Sequence, residues 1–506
     1  MHYHQKKELK FMRESGILLA VSSLPSRFGI GCFDHAAYEF IDTLAQTGQK
    51  LWQILPVGPT GYGDSPYQSF STFAGNPYYI SLDDLIGMGL LTEDECLAAD
   101  MGENPRLVDY GKLYIHRSKL LRTAFTRSNL KDSPEYQAFV RDHAYWLEDY
   151  ALFMALKDAN GGKSWTEWDT PLRMRDEKAV SEAKERYQTD IDYYCFQQYL
   201  FFGEWAKIKA YANEKGIRII GDIPIYVSLD SSDVWASPRL FQLGSKDRLP
   251  VRIAGCPPDA FAADGQLWGN PLYDWDYHEE TGYDWWIKRI RHCYHTCDIL
   301  RIDHFRGFDE YFAIPAGNKT AAGGAWKKGP GMKLFHAITA AIGEREIIAE
   351  DLGYVTDSVR QLVKDTGYAG MKLFEFAFDS RDTGQAKDYL PHNYPVNSAA
   401  YTGTHDNAPL KGWFEEILPE ERDQVFDYLC LPRAEEAPIY AMICATLRSV
   451  SRIAVIPMQD WLGYGNEARM NKPSTAGANW QWRMLPGEFT DELKERIHKA
   501  TLLYGR

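Results

Sequence analysis

Four acids stand where short apolar runs give way to polar sequence: Asp222, Asp303, Glu350 and Asp406. The sharpest case is Asp298-Ile299-Leu300-Arg301-Ile302-Asp303-His304-Phe305-Arg306-Gly307-Phe308. Ile299, Leu300 and Ile302 suit a strand buried on both faces. A carboxylate at the exit of that strand, two residues after Arg301, stabilises a core poorly and suits the mouth of a sheet or barrel. One use of such a cluster is a metal site. His304 and His405 would complete it, and its oxygens would favour Mg or Mn. The other use is glycoside chemistry. There one carboxylate attacks the sugar carbon, a second protonates the leaving oxygen and later activates the acceptor, and a third supports positive charge. Arg301 favours the second use, because a cation beside a carboxylate favours the charged form that a nucleophile needs. Glu350 is longer and can stand in a less polar spot with a raised pKa, as an acid/base must.

The elements that would position these acids are eight apolar runs. They cover 16–21, 51–56, 217–224, 298–303, 346–351, 370–376, 398–403 and 453–458. Helical patterns separate most of them, including 36–47, 193–214 and 285–297. Strand–helix alternation predicts a parallel sheet, and eight units with chemistry at their C-terminal ends predict a (β/α)8 barrel. A doubly wound sheet would show a glycine-rich phosphate turn after the first strand, where this chain has Val21-Ser22-Ser23-Leu24-Pro25. We therefore expect an α/β chain, one (β/α)8 catalytic domain over 1–506 with largely helical insertions. Residues 81–190 read as a helical insertion after the second strand. Residues 228–277 read as an irregular lid and loop insertion after the third. Between Gly58 and Tyr67, Gly and Pro forbid regular structure and two Tyr suggest a rigid loop presenting aromatic faces.

Composition narrows the partners. A net charge of −14 argues against nucleic acid. No segment has the length of a transmembrane helix, and the N-terminal residues lack an apolar signal region. Eight scattered cysteines suit reduced thiols in a cytoplasm. His292, Cys293, His295 and Cys297 lack paired metal spacing and read as one amphipathic helix. The 14% aromatic content, with 15 Trp and 31 Tyr, reads first as core, and among Gly, Asn and Asp loops it also suits a cleft that stacks on flat apolar faces such as sugar rings.

Several longer motifs give these residues a family resemblance. They are Gly58-Pro59-Thr60-Gly61-Tyr62-Gly63-Asp64-Ser65-Pro66-Tyr67, Gly221-Asp222-Ile223-Pro224, Trp268-Gly269-Asn270-Pro271, the run from Arg301 to Gly307, Ala349-Glu350-Asp351-Leu352-Gly353, and Tyr401-Thr402-Gly403-Thr404-His405-Asp406-Asn407. In this order they resemble the 4-α-glucanotransferases of glycoside hydrolase family 77. The resemblance implies a retaining enzyme that moves α-1,4-glucan segments, without cofactor or metal, among malto-oligosaccharides, amylose or glycogen-derived glucans. It implies Asp303 as nucleophile, Glu350 as general acid/base and Asp406 as the third carboxylate. Substrate contacts are implied for Thr60, Tyr62, Asp222, Trp268, Asn270, Arg301, His405 and Asn471, and a lid around Cys256-Pro257-Pro258. The segment after Asp222 lacks the Asn-His pair of the related α-amylases, which favours the transferases. Ser474 departs from the family pattern, which more often has Gly there. With no extra module before the first strand, the chain resembles the short, single-body form of the family.

Overall fold

In this computed structural model the side chains of the barrel strands alternate in and out, and that alternation delivers three of the four acids, Asp222, Asp303 and Glu350. The structure describes residues 12–61, 63–258, 264–353, 355–381, 386–475 and 477–506. In chain order the strands are β1 (Glu14–Leu18), β2 (Leu51–Gln53), β3 (Arg218–Pro224), β4 (Arg252–Cys256), β5 (Gln266–Pro271), β6 (Ile299–Asp303), β7 (Glu310–Pro315), β8 (Ala325–Lys328), β9 (Ile347–Ala349), β10 (Ala369–Leu373), β11 (Ser398–Tyr401) and β12 (Ile453–Pro457). The eight runs read from the sequence are the barrel strands. They close in the order β1-β2-β3-β6-β9-β10-β11-β12, every pair parallel.

Inside the barrel an apolar cluster includes Leu18, Leu51, Ile220, Ile299, Ile348, Met371, Ala399, Tyr401 and Val455. Side chains of a strand repeat their face every second residue. Counting two onward from Ile220 gives Asp222; from Ile299, Arg301 and then Asp303; from Ile348, Glu350. The polar residues are thus the next layers of the same interior column. Register completes the arrangement, since Asp222 lies opposite Arg301 on the neighbouring strand. Deeper in the column the Tyr401 hydroxyl donates to Gln53 Oε1 at 2.8 Å.

The outer face carries the helices. Phe40, Trp52, Trp205 and Phe201 belong to an apolar cluster that continues into the helical insertion through Trp146 and Phe153. The insertion holds helices from Leu82–Gly87 to Glu177–Arg186. The next helix, Gln188–Glu214, begins before the expected 193 and packs on both insertion and barrel, so the expected boundary at 190 falls inside a continuous helix.

The expectation of an irregular 228–277 needs correction. It contains the helix Ser232–Ala236 and the strands β4 and β5. These join β7 and β8 in an antiparallel sheet ordered β5-β4-β7-β8. The segment expected as a lid is therefore tied through β4 to β7, whose chain leads from the exit of β6. Residues 259–263 lie outside the described residues.

Candidate active site

Arg301 organises the floor of the cleft. Its Nη1 donates to both oxygens of Asp222, at 2.8 and 2.7 Å, and its Nη2 donates to Asp303 Oδ1 at 2.8 Å. The Asp222 side chain has no exposed surface, whereas that of Asp303 is 30% exposed. Asp222, expected to touch sugar, instead spends its oxygens on Arg301 and on the Tyr67 hydroxyl at 2.8 Å. Burial drives the Tyr67 phenol's pKa far up, so it stays protonated and able to donate.

His304 ends β6 in the left-handed conformation, at φ 52°. That conformation costs about 1–2 kcal/mol for a residue with a Cβ. It aims the His304 amide at Glu350 Oε2, 2.7 Å away, and a hydrogen bond to a charged group is worth about 1.5–3 kcal/mol, enough to offset it. The Leu352 amide donates to Oε1 at 2.8 Å. Burial and the negative charge of Asp303 nonetheless push Glu350 up to about 7, against the pull of Arg301 and the two amides. Burial holds the His304 ring down to about 4, so it is neutral, and Trp268 meets its ring edge-to-face at 4.8 Å.

Across the cleft, Asp406 sits in a turn built by side chains. Asn407 Oδ1 accepts from Thr404 Oγ1 at 2.8 Å and from the Thr404 amide at 2.9 Å. Asp460 braces the ends of that turn, accepting from Thr402 Oγ1 at 2.6 Å and from the Leu410 amide at 2.7 Å. Asn471 Nδ2 donates to Asp406 Oδ1 at 2.6 Å, and His405 Nε2 lies 3.4 Å from Oδ2. Partial burial works against the Asp406 anion, but His405 and Asn471 outweigh it and hold the carboxyl well below the usual range. The same pairing lifts His405 above its ordinary value despite burial. Tyr67 stacks on the His405 ring at 4.9 Å and 17°.

The structure brings Asp222, Arg301, Asp303, His405, Asp406 and Asn471 into one network, with Glu350 beside it. Trp268 stands at the lid side. Asn270 is buried, with Oδ1 accepting from Gln68 at 3.2 Å and Nδ2 donating to the Val227 carbonyl at 2.8 Å, so it ties the lid's base to the aromatic loop. Thr60 pairs with Ser69, and its hydroxyl is sealed from solvent without a hydrogen-bond partner. Tyr62 lies outside the described residues. Tyr67 is the residue that sequence reading left unassigned. Its signal was there, a tyrosine in a glycine- and proline-rich loop, but its partners lie 155 and 338 residues away.

A metal is poorly served by these acids, because Arg301 already occupies oxygens of both Asp222 and Asp303 and adds a positive charge between them. In the helix Asp284–Thr296 both His292 nitrogens are taken, by the Phe73 carbonyl at 2.8 Å and the Tyr145 hydroxyl at 3.2 Å.

Comparison with known proteins decides the family. A family model described as 4-alpha-glucanotransferase matches residues 19–488. The chain belongs to the 4-alpha-glucanotransferase family, glycoside hydrolase family 77. It is 48% identical to the 4-alpha-glucanotransferase of Clostridium butyricum, covering 96% of this chain and 99% of that one. It is 46% identical to the Thermus thermophilus enzyme of the same name, covering 97% and 98%. Its fold matches a solved amylomaltase from Streptococcus agalactiae in complex with acarbose, with a TM-score of 0.93, 41% identity and coverage of 98% and 99%. The chain is a glucan transferase of this family on a (β/α)8 barrel. Ser474, where the family pattern suggested Gly, stands at φ 63°, the backbone region that Gly occupies most easily. Among the described residues no helix is long and apolar enough to cross a membrane.

Proposed function

We propose that the enzyme moves α-1,4-glucan segments from a malto-oligosaccharide donor to the 4-hydroxyl of an acceptor glucose or glucan, with net retention. The observation that carries this reading is the unequal pair formed by Asp303 and Glu350. Asp303 is fixed by Arg301 and open to the cleft, while Glu350 is poised to exchange a proton near pH 7.

In the first half-reaction an Asp303 oxygen bonds to the sugar's anomeric carbon as the bond to the leaving oxygen breaks. Glu350 gives its proton to that oxygen, and the shortened glucan departs with a free 4-hydroxyl. In the second, Glu350 takes the proton of the acceptor's 4-hydroxyl, which attacks the same carbon and releases Asp303. Asp406 grips hydroxyls of the reacting sugar and supports the positive charge of the transition state. Arg301, held by Asp222 and Met371, keeps the nucleophile in line. Trp268 on the antiparallel lid sheet offers an aromatic face to an acceptor and excludes water, which favours sugar over hydrolysis. The scattered cysteines suit work in a cytoplasm.

The test is a time course on purified maltotriose with every product resolved by length. We expect glucose to appear with maltopentaose and longer chains while total reducing ends stay nearly constant. Reducing ends that climb while no chain exceeds the starting length would make the enzyme a hydrolase and the acceptor argument wrong.

A further inference from the structure

Asp406 and Asn471 come from segments 65 residues apart, yet their side chains meet at 2.6 Å. The two segments must be fixed against each other for that bond to persist. The Asn471 amide donates to the His405 carbonyl at 3.1 Å. Arg469 supplies the rest. Its Nη2 donates to the Asp406 carbonyl at 2.9 Å, and its Nε donates to the Asn471 carbonyl at 2.9 Å. One planar, rigid guanidinium therefore spans the main chain of the acid and the main chain of the acid's hydrogen-bond donor.

The surroundings leave Arg469 free for this bridge. Its charge reaches Glu375, a buried acid behind the same turn. Both Glu375 oxygens are sealed from solvent without a hydrogen-bond partner, and Oε1 lies so close to Gly403 that a Cβ there would stand 2.9 Å from it. Burial, and then the charge of Asp460, push the Glu375 carboxyl well up, so it stands neutral and offers Arg469 no ion pair. Other contacts seat the segment itself. Met470 is buried and its carbonyl accepts from the Trp480 amide at 2.6 Å, while the Ala468 carbonyl accepts from Gln459 Nε2 at 3.3 Å. What Arg469 adds is the link to Asp406.

We propose that Arg469 is a positioning residue: by holding the carbonyls of Asp406 and Asn471 together it sets the contact between their side chains, and through it the pose of the carboxylate on the reacting sugar. The proposal rests on the reading of Asp406 as the acid that grips that sugar. Burial works against the Asp406 anion, and His405, 3.4 Å from Oδ2, then Asn471 and then Arg301 favour it. The Tyr67 phenol, held protonated by burial, adds no charge. Of these groups Asn471 is the one that Arg469 places.

The test compares Arg469→Lys, Arg469→Gln, Asn471→Ala, the double variant Arg469→Lys/Asn471→Ala and Asp406→Asn, reading maltotriose disproportionation across pH and unfolding in denaturant. Lys keeps the charge without the fork, and Gln keeps one donor group without the charge, so neither holds both carbonyls as Arg does. Each should lower kcat/KM about tenfold, within the roughly 10²-fold that a 1 Å misplacement can cost. The acid-side limb should move to higher pH, as in Asn471→Ala. Added to Asn471→Ala, Arg469→Lys should cost less than about threefold more, because both act on one contact. The proposal is overturned if Arg469→Lys matches wild type, whatever Arg469→Gln does, if the variants unfold more easily with the acid limb unmoved, or if the two losses multiply in the double variant. Asp406→Asn separates this failure from failure of the underlying reading. A loss of about 10²-fold or more there upholds the role of Asp406, so that a wild-type-like Arg469→Lys counts against this proposal alone. An Asp406→Asn variant as active as wild type removes both.

Discussion

The two walls of the cleft push Glu350 and Asp406 toward opposite protonation states by opposite means. At the exits of β6 and β9, Arg301 gives its donors to Asp222 and Asp303, so Glu350 receives only two backbone amides. Burial beside the charge of Asp303 then lifts it to about 7. At the exit of β11, Asp406 has His405 and Asn471 to itself and is held as an anion. Glu350 is driven toward its protonated form because Arg301 gives its hydrogen bonds to Asp222 and Asp303 instead. Asp406 is a fixed charge because side-chain donors were placed on it.

The sharpest way to break the first wall is Asp303→Asn. On the proposed mechanism this removes the attacking carboxylate, and kcat/KM for maltotriose should fall about 10⁴-fold or more, read from initial glucose release. A variant within tenfold of wild type would move the nucleophile elsewhere. Glu350→Gln should cost about 10²- to 10⁴-fold. It also carries a pH signature. The raised pKa means that Glu350 holds its proton below about 7 and loses it as pH rises through that value. Wild-type kcat/KM should therefore decline on the alkaline side near pH 7, and the Gln variant should lack that limb. A limb that persists in Glu350→Gln belongs to another group.

On the opposite wall Asn471→Ala is the milder probe. It deletes the 2.6 Å hydrogen bond to Asp406 and leaves His405 in place. A hydrogen bond to a charged group is worth about 1.5–3 kcal/mol, so kcat/KM should fall about 10- to 100-fold. Losing a donor raises the Asp406 pKa, so activity should fall away at a higher pH on the acid side. The alkaline limb set by Glu350 should stay where it is. A shift of the alkaline limb instead would mean that the two walls do not titrate separately.

Much of this was legible in the sequence because the barrel strands announce themselves twice. Each is an apolar run of the right length, and the runs at 217–224, 298–303 and 346–351 carry their chemistry at the strand end, where parity keeps it on the interior column. The antiparallel sheet was not legible. Arg252–Cys256 is short and interrupted by Gly255, Ala325–Lys328 is exposed throughout, and Gly and Pro nearby read as loop. What makes them strands is pairing with β7, a contact no local pattern records. The same limit applies to Asn270. Its motif marked it for the substrate, whereas both ends of its amide are engaged by protein.

Tyr67 tests whether the two walls are coupled, since it touches both. Its hydroxyl donates to Asp222, beneath the first wall, and lies 3.3 Å from His405 Nδ1 on the second, while its ring stacks on that imidazole. Tyr67→Phe keeps the stack and removes the hydroxyl. Asp222 has no exposed surface, so water cannot replace the lost donor without rearrangement, and the variant should lose about 1–3 kcal/mol of stability, read by chemical denaturation. Arg301 still grips both Asp222 oxygens, so the nucleophile should keep its place and kcat should fall by less than about tenfold. If kcat falls as far as in Glu350→Gln, Arg301 alone does not hold the first wall, and the tyrosine hydroxyl is what ties the pose of Asp303 to that of His405.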